Sequence, residues 1–198
     1  MLIILASLML ATGAFAQNTS RIVSVDAFDL SYVGGLAFRH DNGKNSDRDE
    51  TDFRLKLNYA QNWEEYVGLM WKVQLNFDRL NSDFGPADQF QSAYDVAGGF
   101  LYNFQPDDVK NSFMAGFMVG IERMTIDEPG IKKKSGFNTM LQVEGGKRWD
   151  LGQYSVANLS YAPTVSVALK RYGGGIRDDY YKNGNEVRFN FLKFDILF

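Results

Sequence analysis

The sequence predicts an all-β fold, a closed eight-stranded antiparallel up-and-down transmembrane β-barrel that follows an N-terminal signal peptide. Three observations predict it. Apolar residues recur at every second position through eight segments, a period that strands sort and helices do not. The connections between those segments alternate between long and short. Charges on the apolar faces are confined to strand ends. The composition agrees: aromatic residues make up 15% of the 198 residues and glycine is frequent at 19.

The opening "MLIILASLMLATGAFAQ" is uncharged and apolar and closes on Ala14-Phe15-Ala16, the small-x-small pattern of a signal-peptide cleavage site. The stretch is too short for a spanning helix, which needs roughly 20 apolar residues. Residues 1–16 are therefore expected to be removed on export, and residues 17–198 to form one barrel domain. No composition break or low-complexity run divides that remainder. There is no cysteine, so neither a disulfide nor a lipid-bearing Cys is expected.

The first strand is read over residues 27–39, with Phe28, Leu30, Tyr32, Leu36 and Phe38 on one face. The second lies in "DFRLKLNYAQNW", where Phe53, Leu55, Leu57 and Tyr59 alternate with Arg54, Lys56, Asn58 and Ala60. The third, residues 67–78, alternates Val67, Leu69, Trp71, Val73, Leu75 and Phe77 with polar or small residues. Residues 94–104, 113–124, 137–148, 154–170 and the run from about Glu186 onward complete the eight. Most have about the 9–11 residues that a tilted strand needs to cross a bilayer. Residues 40–51, 79–92, 125–136 and 171–185 read as long polar loops. "NWEEY", "QPDDVKNS" and "WDLGQ" read as short turns, an asymmetry typical of membrane barrels. Two irregularities are expected. Phe191 and Leu192 break the alternation of the last strand, which calls for a bulge near Leu192 and Lys193, and Pro163 cannot donate to a ladder within the seventh.

Alternation by itself also fits a soluble sandwich or a ligand-binding barrel, so the polar face decides. It carries Asp29, Arg54, Lys56, Lys72, Asp95, Glu122, Glu144 and Arg148, whereas the apolar face has charges such as Arg123 and Lys147 only near strand ends. A charge facing lipid costs about 2–4 kcal/mol at the midplane and little at the interface, so lipid selects that distribution. Phe28, Trp63, Tyr66, Phe104, Phe113, Trp149, Tyr154 and Phe198 gather at the short-turn end as an aromatic belt would. In hydrocarbon an open sheet edge leaves backbone groups unpaired, so the last strand must pair with the first.

Leu192, Phe194, Ile196 and Phe198, spaced by two, resemble the C-terminal signature of outer-membrane barrels, and the whole layout is similar to the eight-stranded OmpA and OmpX type. The resemblance implies recognition of that strand by the outer-membrane insertion machinery. It also implies a bacterial outer-membrane location, with the termini in the periplasm, the long loops outside, and lipid and lipopolysaccharide as surroundings.

A barrel of eight strands is only wide enough for side chains to fill its interior. Arg54, Lys56, Lys72, Asp95, Glu122, Glu144 and Arg148 are thus expected to form a lumenal ion-pair network of structural kind, with Lys72 and Glu144 at one depth. Buried charges require partners. Lipid-modifying catalysis would need a nucleophile and a base within reach of each other. The only histidine, His40, is followed by Asp41 and Asn42 with no matching Ser spacing, so a non-enzyme is expected. The first loop's Asp41, Asp47, Asp49, Glu50 and Asp52 lack the calcium-loop spacing, so neither metal nor cofactor is expected. "IKKKS" at 131–135 reads as a solvated run, with contact to anionic lipid head-group phosphates as the alternative. With a formal net charge of -3 and no basic face, nucleic acid is not a partner. Tyr172, Tyr180 and Tyr181 in the Gly-rich fourth loop are the candidate contacts for an unidentified surface ligand. The expectation is a monomer with a structural or surface-interaction role, with a narrow pore or a lipid-modifying enzyme as the alternatives.

Overall fold

The computed structural model describes residues 20–26, 50–84, 87–127, 134–172 and 183–198. They form a single antiparallel sheet of eleven strands: β1 (Arg21–Asp26), β2 (Glu50–Asn62), β3 (Leu69–Phe84), β4 (Ala87–Asn103), β5 (Phe113–Asp127), β6 (Lys134–Lys147), β7 (Trp149–Tyr154), β8 (Ala157–Tyr161), β9 (Thr164–Tyr172), β10 (Asn183–Asn190) and β11 (Lys193–Leu197). Neighbours in sequence pair from β1 to β6. Beyond β6, β9 and β10 continue the sheet on one side, while β11 and β8 pair outward from β1 on the other. Because β10 runs into β11, and β9 is the continuation of β8, the two ends of the sheet belong to the same passes of chain. The sheet therefore curls round and closes at the β1–β11 seam, where Ile22 faces Leu197 and Val25 faces Phe194.

Eleven strands appear where eight were expected because three passes are interrupted at one level. β6 stops before Arg148, β8 and β9 are separated by Ala162-Pro163, and β10 and β11 by Phe191-Leu192. Pro163 has no N–H to give, so the ladder lapses around it. Between the pairs Asn190↔Thr164 and Phe194↔Tyr161, three residues of the last pass oppose two of its neighbour. That single extra residue is a bulge, and it resets the faces: Arg188 and Asn190 are buried before it, Lys193 and Asp195 after it.

Strand limits also differ from the sequence reading. β3 and β4 run on as a ladder to Phe84↔Ala87, through most of the expected loop 79–92. β5 and β6 likewise extend to Asp127 and back from Lys134, β9 reaches Tyr172 and β10 begins at Asn183. Backbone pairing uses main-chain groups and does not require apolar side chains, so polarity alone misplaced these ends. "WDLGQ" lies in β7, and its turn falls later, at Ser155, whose φ is 58°. β1 precedes the predicted first strand, whose residues 27–39 lie outside the described residues, as do the expected signal segment 1–16 and His40.

Candidate functional site

The burial pattern is inverted relative to a water-soluble protein. Val119 and Ile121 on β5 are 55% and 59% exposed, while Glu122 between Ile121 and Arg123 is fully buried. Side chains alternate across the pleat, so one face of each strand must be inside and the other outside. Here the inside carries the charges. Among the described residues the buried charged groups are Asp26, Lys56, Lys72, Asp95, Glu122, Glu144, Arg148, Lys170, Arg188, Lys193 and Asp195. Cations and anions nearly balance, as an interior cut off from water requires.

Lys72 of β3 reaches across to Glu144 of β6, forming an ion pair with both side chains almost wholly buried. Gly116 makes room for it: a Cβ there would come 2.8 Å from Glu144 Cγ. Nearby, Gln74 Nε2 donates to Gln142 Oε1 at 3.4 Å. Farther from the turns, Glu122 accepts from Lys170 Nζ at 2.5 Å and from Asn138 Nδ2 at 2.8 Å, and Asp95 accepts from Asn76 Nδ2 at 2.8 Å. Lys56 sits in register between Asp26 of β1 and Asn76 of β3. Between these polar layers lies a plug of Ala97, Met118, Met140 and Ala168.

Arg148, in the gap between β6 and β7, knits the base. Its Nε donates to Asp195 Oδ2 at 2.6 Å, and its Nη1 to Asn103 Oδ1 at 2.5 Å and to the Val109 carbonyl at 3.5 Å. Asn103 in turn donates from its backbone N–H and Nδ2 to the Gly68 carbonyl, at 2.8 and 3.2 Å. Gly68 has φ 80°, and a Cβ there would lie 2.7 Å from the Asn103 carbonyl oxygen, so the turn requires glycine. The turn "QPDDVKNS" folds into a short 3-10 helix, Pro106–Asn111, whose Val109 is buried. Val109 completes an apolar layer with Ile22, Ala60, Met70, Leu101, Met114, Ala162 and Leu197. Ser160 Oγ donates to the Lys110 carbonyl at 3.2 Å, and Lys110 Nζ lies 3.3 Å from Asp150, which holds this lid against β7 and β8.

Of the expected network, Lys72 and Glu144 come together. Glu122 and Arg148 instead use Lys170 and Asp195, which sequence reasoning missed together with Asp26, Arg188 and Lys193. Strand parity carried beyond the bulge would have found Lys193 and Asp195. Arg54 and Tyr172 are placed by backbone alone, on β2 and at the end of β9, and Tyr180 and Tyr181 lie outside the described residues.

Leu192 and Phe194 are exposed on the outward face, while Ile196 and Phe198 are half-buried there. Aromatic rings surround the turn end: Trp63 stacks on Phe100 with centroids 5.3 Å apart, and Tyr161 contacts Trp149, Phe191 and Phe194 at 5.8 to 6.0 Å. Lys147 Nζ lies 4.5 Å over the Phe113 ring. Among the described residues no group of three His, Cys, Asp or Glu side chains is placed to hold a metal ion.

No protein-family model matches the chain, and no curated protein matches it. Among solved structures, the crystal structure of Neisserial surface protein A is similar with a TM-score of 0.55 at 11% sequence identity, covering 89% of this chain and 96% of that one. A looser likeness, with a TM-score of 0.32 at 11% identity over 92% of this chain and 94% of the other, is to the outer membrane protein OprG from Pseudomonas aeruginosa. With its apolar exterior, charged interior and curled up-and-down sheet, the chain has the fold of the bacterial outer-membrane β-barrels.

Proposed function

We propose that this is an integral outer-membrane protein without enzymatic activity, whose role is structural or one of surface interaction through the long connections. In this reading the short turns face the periplasm, the long loops face outward, and the last strand with Leu192, Phe194, Ile196 and Phe198 is what the insertion machinery engages. The observation that carries it is the contrast between the two ends. The turn end stops flush, sealed by the Val109 layer and the Arg148 network. At the other end β3 alone has 16 residues, about 50 Å of strand at roughly 3.3 Å per residue, where a tilted crossing takes about 9–11. The surplus stands clear of the bilayer as a paired hairpin, a rigid mount for recognition. The sealed base and near-neutral lumen favour this role over a pore.

The chain has no cysteine, so single substitutions report sidedness cleanly. On intact cells a membrane-impermeant maleimide should label Gly174→Cys and leave Glu64→Cys unlabelled until the outer membrane is permeabilised. The refolded protein should be silent in a planar bilayer. Labelling of Glu64→Cys from outside overturns the orientation, and steady ohmic conductance replaces this reading with a pore.

A further inference from the structure

On the outward face of β3, β4 and β5, close to the turns, lies a groove of about 830 Å³ walled by Trp63, Trp71, Phe100, Phe117 and Val119. Its floor follows from the register. Three outward rows cross these strands: Trp71–Phe100–Phe117, Val73–Gly98–Val119 and Leu75–Val96–Ile121. The middle position of the middle row has no side chain. At Gly99, Gly116, Gly120 and Gly146 a Cβ would collide within 3 Å of protein atoms, so packing explains those glycines. At Gly98 the nearest atom to a Cβ is the Lys72 carbonyl oxygen, 3.9 Å away. Nothing in the protein occupies the notch, although a glycine inside a strand costs conformational entropy. Gly145 has similar room but does not line the groove.

The groove runs down to a polar rim formed by Gln61, Asn62, Glu64 and Glu65. Both glutamates are exposed, and among the described residues neither takes part in a salt bridge. Tyr59 Oη donates to Gln61 Oε1 at 2.8 Å, which leaves the amide nitrogen of Gln61 as a donor at the rim. An apolar groove rimmed by two carboxylates and an amide donor matches one class of amphiphile. Its tail is hydrocarbon, and its headgroup has a phosphodiester to accept a hydrogen bond and an ammonium to meet the carboxylates. We infer that the groove seats an acyl chain of a phospholipid bearing a primary amine, with the ammonium on Glu64 and Glu65 and the phosphate beside Gln61. The inference rests on the reading of the chain as a membrane barrel. It adds a bound lipid of defined headgroup to that reading.

The test uses the full mature barrel refolded into vesicles of equimolar phosphatidylethanolamine and phosphatidylglycerol with identical acyl chains, with retained lipid counted by native mass spectrometry. The wild type should retain phosphatidylethanolamine over phosphatidylglycerol by about fivefold or more. Glu64→Gln with Glu65→Gln, changed at two exposed side chains that take part in no salt bridge among the described residues, should erase that preference. Gly98→Leu, which fills the notch, should lose most retained lipid of both kinds. Equal retention of the two lipids by the wild type overturns the inference, as does a preference that survives the double Gln variant. Failure of the wild type to insert, seen as extraction by carbonate, instead removes the membrane reading and this inference with it.

Discussion

At the scale of the residue, the lumen shows why buried charge has to be arranged in complete sets. Lys72 and Glu144 have almost no contact with solvent, and each is the other's compensation for lost water. Removing one partner strands the other, which costs about 3–5 kcal/mol, whereas replacing both with apolar groups of similar volume is often neutral. Lys72→Met should therefore lower unfolding free energy by several kcal/mol, while Lys72→Met combined with Glu144→Met should recover most of that loss. Guanidinium titration in vesicles measures both, and equal losses would show that the pair is not coupled. Half of this pair logic was legible in the sequence, because strand parity places Lys72 and Glu144 on one face at similar depth. The partners of Glu122 and Arg148 were not legible. Parity turns Lys170 and Asp195 inward, but they come from passes of chain 48 and 47 residues away, and which buried charge each one meets depends on register between strands.

The strand is the scale at which a single residue decides which face is which. In the last pass, Phe191 and Leu192 are both exposed and mark the point where three residues oppose two. Deleting Leu192 takes out the extra residue, leaving Phe191 outward and Lys193 inward with two residues opposing two. That variant should fold and keep heat-modifiable mobility on gels. Deleting Phe194 sends Asp195 and Leu197 to the lipid side and Ile196 inward, and a one-residue slip of this kind should abolish folding. The outcome that would contradict the bulge assignment is folding of the Phe194 deletion with loss of folding in the Leu192 deletion. The break itself was readable from two adjacent apolar residues and a proline. That both irregularities, with the gap at Arg148, lie at one level was not readable, since level depends on register between strands.

For the whole molecule, the deciding property is which solvent the exterior meets. Val119 is 55% exposed, and in water a charge at such a position would change stability by no more than about 0.5 kcal/mol. Facing the hydrocarbon midplane it costs about 2–4 kcal/mol. Val119→Lys should thus destabilise the barrel by about 2–4 kcal/mol when refolding is followed in lipid vesicles. A change below about 0.5 kcal/mol would mean that this face does not lie against hydrocarbon. The contrast between the ends belongs to this scale too: a base closed by the Val109 layer and ringed by aromatic side chains, opposite strands of up to 17 residues, is what the proposed surface role rests on.

The class of fold, the sorting of greasy from charged residues and the alternation of connections are written in the chain alone, because a two-residue period and solvent preference are local properties. The chain also marks where the ladder must fail, at Pro163 and Leu192. The seam, the partners of Arg148 and Glu122, the turn folded back as a lid and the unfilled notch at Gly98 emerge from the folded arrangement. Each of those depends on which strands lie side by side and in what register, and register is a relation between distant segments that no local pattern carries.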